Sequence, residues 1–134
     1  MKAAPVSAAG GRQERRDRLK RERAAAPALR EVYPTVQQLQ LEMVFQNATS
    51  HDPAPQSHTL HPSARAFFEF SCPYADCDGH FDLGAAVEAA ILDPRGRAAG
   101  ERGCSGRRAA RVGENEACQL RMGYKISATL NPRS

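Results

Sequence analysis

Leu39, Leu41, Met43 and Phe45 alternate with Gln38, Gln40, Glu42 and Val44, so residues 36–45 carry the two-residue period of a strand with one buried face. The period returns near the C-terminus. There Cys118, Leu120, Met122, Tyr124, Ile126, Ala128 and Leu130 fall on one face, and Gln119, Arg121, Gly123, Lys125, Ser127 and Thr129 on the other. A shorter strand is predicted where Ala66, Phe68, Phe70 and Cys72 share a side, and another over residues 102–105, leading into Cys104. Between the first two, residues 47–63 contain Pro53, Pro55 and Pro62 with no period, which predicts a connection without regular structure.

Two helices interrupt the strands. Asp82 is placed to cap a helix whose apolar stripe is Leu83, Val87, Ala90 and Ile91, and Pro94 forbids its continuation. Pro27 and Pro34 bracket a shorter one in which Leu29, Val32 and Tyr33 recur at helical spacing. The predicted fold is α+β: a small antiparallel sheet of about four strands with one covering helix, over residues 27–134. Residues 1–26 stand apart. Leu19 is nearly the only large apolar residue among them, so the segment is expected as a basic arm, flexible or a solvated helix.

Composition limits the chain to one domain, at 134 residues and 41% hydrophobic content. No window approaches the ~18 apolar residues a membrane helix requires, so no membrane partner is expected. The N-terminus lacks a secretory apolar core, and Glu14, Asp17 and Glu22 among its arginines are unlike a transit peptide. These features predict a cytoplasmic, bacterial protein. In such a chain the acceptor pattern Asn47-Ala-Thr49 goes unglycosylated.

Charge is unevenly spread within a net +4. Residues 1–30 hold nine basic residues against three acids, whereas the remaining 104 hold ten against twelve. A second basic patch lies in residues 93–111, where Arg95, Arg97, Arg102, Arg107, Arg108 and Arg111 outnumber Asp93 and Glu101.

The cysteines bring in chemistry. Cys72 and Cys77 form a close pair, and Cys104 and Cys118 follow singly, with no fifth cysteine left over. Turn residues surround the first pair (Pro73, Asp76, Asp78, Gly79), and Gly103 and Gly106 flank Cys104. Tetrahedral zinc needs four soft or nitrogen ligands, and a tight cysteine turn supplies two with little loop-closure cost. A structural zinc on Cys72, Cys77, Cys104 and Cys118 is the expectation. Two disulfides or four buried free thiols are the alternatives.

Cys72-Pro-Tyr-Ala-Asp-Cys77 with the later Cys104-Ser-Gly and Cys118 resembles the knuckles of zinc-ribbon-like domains, across residues 68–126. Those domains usually carry two C-x2-C pairs, whereas here the first gap is longer and thirteen residues split the second pair. The resemblance implies a non-catalytic binding role, commonly against nucleic acid or another protein.

His80 is the residue able to change that reading. As a ligand in place of one cysteine it would leave an open metal position, with Asp78 or Asp82 as base, and make a zinc hydrolase. The alternative is a turn histidine before a helix. His51, His58 and His61 sit at no metal-ligand spacing and are expected as solvated loop residues. No phosphate-binding glycine loop or nucleophile-elbow serine occurs.

Three functions follow. The first is a small non-enzymatic zinc protein contacting RNA or DNA through Arg12, Arg15, Arg16, Arg18, Lys20, Arg21 and Arg23. The second is a protein–protein module or homodimer meeting its partner through the long loop of residues 47–63 or the polar sheet face of Gln38, Gln40 and Glu42 beside Glu69. The third is the hydrolase.

Overall fold

The computed structural model describes residues 8–48, 51–109 and 115–131. Helix α1 (Ala8–Ala25) leads through Pro27 into the single turn α2 (Leu29–Val32). Glu31 closes the start of α2 by accepting the Ala28 N–H at 2.9 Å, and α2 is docked by buried Leu29, whose N–H donates to the Ala64 carbonyl, and by the Arg30 N–H on the Pro62 carbonyl. Strand β1 (Val36–Gln46) follows, with Leu39, Leu41, Met43 and Phe45 inward and Gln40, Glu42 and Val44 outward, as the alternation predicts. Val36 is also buried despite its opposite parity, because a register shift between Val36 and Gln38 turns the strand over.

Strand β2 (Gln56–Leu60) lies in the stretch expected to be irregular. Its Gln-Ser-His-Thr-Leu sequence has one large apolar residue and buries none completely, so it is held through backbone pairing to β1 at an edge of the sheet. The phenylalanine-rich strand is shorter than expected. Only β3 (Glu69–Ser71) forms, and it pairs with β4 (His80–Asp82) in a separate ribbon, Phe70 opposite Phe81. Helix α3 (Gly84–Leu92) then buries Ala86, Val87 and Ala90. Its N-cap position is Leu83 instead of Asp82, yet the Asp82 carboxylate still accepts the Gly84 N–H at 2.8 Å.

The rest of the chain is β5 (Arg97–Gly103), β6 (Arg107–Ala109), β7 (Asn115–Ala117) and β8 (Arg121–Leu130). β5 starts well before the expected residue 102. β8 buries Met122, Tyr124 and Ile126 against β1, and the main sheet runs β2-β1-β8-β5, all antiparallel, under α3. β6 and β7 make a second small ribbon. One continuous core joins the sheet to Phe81, Cys72, Cys77 and Cys118, and each fully buried Leu, Met or Phe contributes about 1.5–3 kcal/mol.

Of the two forms expected for residues 1–26, the described part takes the helical one, as α1. Its outward side is solvated, but Leu19 is buried and Arg15, Arg16 and Arg23 are tied into the fold. Arg16 donates to the Tyr74 carbonyl at 3.0 Å and Arg23 to the Glu69 carbonyl at 2.8 Å, with the Arg23 guanidinium 5.0 Å above the Phe67 ring. A periodicity of apolar residues cannot register this docking, because guanidinium groups on carbonyls and aromatic rings supply most of it. Leu19→Ala should therefore cost about 2 kcal/mol, the low end for a buried leucine, in urea unfolding. An unchanged midpoint would mean that α1 does not pack.

Candidate metal centre

Two turns of one design carry the cysteines. In the first, Cys72 leaves β3 and the chain returns through Cys77-Asp-Gly79 into β4. The Gly79 N–H points at the Cys77 sulfur (3.3 Å), and the Gly79 carbonyl accepts the Cys72 N–H (3.0 Å). In the second, Cys104-Ser-Gly106 follows β5 and repeats both bonds. Gly106 N–H meets the Cys104 sulfur at 3.4 Å, and the Gly106 carbonyl accepts the Cys118 N–H at 2.9 Å. Cys118 reaches that position because β6 and β7 pair, with Arg107 opposite Ala117.

The turns sit back to back. A Cβ on Gly79 would lie 2.7 Å from the Gly106 nitrogen, and one on Gly106 would lie 2.9 Å from an Asp78 carboxylate oxygen, with the Gly79 backbone nearer still. No side chain fits between them. Asp78 closes the contact by accepting the Arg107 N–H at 2.7 Å.

This packing brings all four sulfurs within 4.8 Å of one another. Cys72 and Cys118 are 4.0 Å apart, Cys77 and Cys104 3.5 Å. A zinc–sulfur bond of about 2.3 Å in a tetrahedron separates sulfurs by about 3.8 Å, so the spacing is compatible with metal coordination. Every cysteine is a free thiol, and all but half-buried Cys104 are buried.

Proton demand is unequal across the set. Hydrogen bonds from Cys104 and Cys72, with help from the Gly79 N–H, pull the Cys77 thiol down to about 2. Donating bonds to Cys104 and Cys77, and burial, push Cys72 up. Burial does the same to Cys118. For Cys104 the bond with Cys72 acts downward, but its bond to Cys77 and its burial outweigh that and raise it to about 12. A cation among the four sulfurs would displace the protons held on the raised thiols.

His80 stands outside the cluster. Its Nδ1 accepts from Arg15 at 2.9 Å and its Nε2 faces a Glu69 carboxylate oxygen at 3.2 Å, so it fastens α1 to the β3–β4 ribbon. Asp78 and Asp82, the bases of the hydrolytic arrangement, accept backbone N–H groups. His51 packs edge-on against Tyr74, His58 leaves the expected loop for β2 and stacks on Phe70, and His61 is exposed. Asn47 is buried with its amide on the Tyr74 hydroxyl, so the acceptor pattern offers no free nitrogen.

Within the second basic segment the arginines have different surroundings. Arg108 lies 3.7 Å above the Tyr74 ring centre and pairs with Asp76 at 3.0 Å, Arg102 lies over Tyr124, and Arg97 is exposed. Arg111 lies outside the described residues.

The repeat of Cys-x-Gly at 77 and 104 was the sequence signal for the paired turns, and the alternation of apolar residues does not contain it. No protein-family model, curated protein or solved structure matches the chain. Among the described residues, no helix is long and apolar enough to cross a membrane.

Overpacking at the glycine contact should be costly. Gly79→Ala and Gly106→Ala are each expected to lose about 1–3 kcal/mol or more in urea unfolding. Gly103→Ala, whose new methyl would meet only an Arg121 nitrogen at 3.6 Å, should stay within about 0.5 kcal/mol. Equal effects at the three positions would refute the close approach.

Proposed function

We propose that this chain is a small non-enzymatic binding module whose fold is fastened by one structural zinc ion on Cys72, Cys77, Cys104 and Cys118. The observation that carries the reading is the mutual approach of all four sulfurs within 4.8 Å. Each sulfur has three sulfur neighbours instead of one, which suits a tetrahedron better than two disulfides. The N–H groups of Gly79 and Gly106 aimed at Cys77 and Cys104 are also what bound thiolates need, since they offset negative charge on the sulfurs. The paired turns are the feature shared with zinc-ribbon-like domains.

Zinc held by four thiolates has no position for an attacking water, so its contribution is cross-linking. Here it would join the end of β3, the end of β5 and the approach to β8, three segments far apart in sequence. For the partner, the polyanion reading of the arm loses ground to a protein. Arg15, Arg16 and Arg23 face the fold, and the outward side mixes Arg18, Lys20 and Arg21 with Glu14, Asp17 and Glu22, Arg18 and Glu22 being paired at 3.4 Å.

Elemental analysis of purified protein should find about one zinc per chain, a result that also distinguishes zinc from iron, the other common tenant of four thiolates. Binding should release protons and weaken as pH falls, because the raised thiols of Cys72, Cys104 and Cys118 must ionise to bind. Chelation or Cys118→Ala should unfold the ribbons, whereas His80→Ala should keep the metal. Metal-free protein with four titratable thiols and an intact fold would sink the proposal.

A further inference from the structure

Strand β5 ends the main sheet. Among the described residues no other strand pairs with its outer edge, where the Asp93 carboxylate accepts the Arg97 N–H at 3.2 Å and the Arg102 guanidinium donates to the Glu101 carbonyl at 3.3 Å. At its two ends, Gly96 and Cys104 bond to Ala128 and Leu120 of the neighbouring chain segment, and the register between them is unbroken. Antiparallel alternation then directs the even-numbered residues' backbone groups toward β8 and those of Arg97, Ala99, Glu101 and Gly103 outward. The opposite edge is different. β2 is bracketed by Pro53, Pro55 and Pro62, and its Gln56 and His58 line a cleft with Leu19 and Arg23 of α1 and Phe70 of β3.

The outward groups of β5 match themselves. Turning a second copy about a two-fold axis through Ala99 sets Arg97 opposite Glu101 of that copy and Glu101 opposite its Arg97. The facing pairs in that register are the residues whose N–H and carbonyl groups point outward, so the ladder and the charges select one alignment. Ala98, Ala99 and Gly100 present no bulk to obstruct it. Lys125, beside Ala99 in the sheet, is separated from its own copy by both β5 strands, so the like charges do not meet.

We infer that β5 is a self-association edge, through which two copies of this chain join their sheets antiparallel with Ala99 against Ala99. Neither the occupant nor the register depends on the metal identity. Because one strand pair is a small interface, the dimer is weak and concentration-dependent. The Glu101–Arg121 pair within the chain does not compete strongly, both side chains being more than half exposed.

The experiment is sedimentation equilibrium on the full metal-loaded chain over a concentration series, with metal content assayed in each sample so that a misfolded variant is recognised. Arg97→Glu and Glu101→Arg should each raise the dissociation constant roughly tenfold, since each substitution creates two like-charge pairs across the axis. The double variant Arg97→Glu/Glu101→Arg should restore it to roughly the wild-type value. Mild oxidation of Ala99→Cys should give a cross-linked dimer, because facing Cα atoms in such a pair are about 5.5 Å apart. A wild type that stays monomeric throughout the series overturns the inference and leaves the edge for another protein's strand. A dimer indifferent to the single charge reversals, or not rescued by the double one, overturns it too.

Discussion

The backbone contact between Gly79 and Gly106 is the constraint from which the rest of this molecule follows. With no side chain between them, two turns of the same shape lie close enough for their sulfurs to share one small volume. Widening that contact by a methyl group would part Cys77 from Cys104 and also separate the β3–β4 ribbon from the β6–β7 ribbon. The main sheet feels it next, because the second turn is the exit of β5 and its partner cysteine stands three residues before β8. If a metal bridges Cys72 and Cys118, it closes a span of 46 residues in the unfolded chain. By chain-entropy reasoning a cross-link of that length is worth about 4 kcal/mol, comparable to two or three buried leucines.

Strands with one wet face were legible because their chemistry is periodic. Leu39 to Phe45 and Leu120 to Ile126 read off the buried sides of β1 and β8 position by position. β2 was not legible, since a strand held at an edge by its backbone needs no apolar rhythm. The separate β3–β4 ribbon was hidden for another reason: Phe68 and Phe70 follow the alternation of a sheet strand, and only the return of the chain at Gly79 diverts them.

The cysteine set was legible as a set, whereas its mode of assembly was not. Thirteen residues between Cys104 and Cys118 look like an obstacle until β6 and β7 pair, with Arg107 opposite Ala117, and bring the two cysteines back together. The docking of α1 was hidden by a limit of hydropathy itself. Arg16 and Arg23 count as fully polar on any such scale, yet in the fold both bind carbonyl groups and Arg23 covers the Phe67 and Phe70 rings, while Leu19 supplies an apolar anchor.

Tyr74 lies inside the first cysteine turn, with Arg108 over one ring face, His51 at its edge and its hydroxyl engaged by Asn47 and the His51 carbonyl. The chain contains no tryptophan and only three tyrosines. Tyr33 and Tyr124 are remote from that turn in sequence, on α2's exit and on β8. Ultraviolet absorption and emission are therefore not masked by an indole, and one of three phenols belongs to a residue of the first cysteine turn. The molecule carries a native optical reporter at the junction on which its architecture hangs.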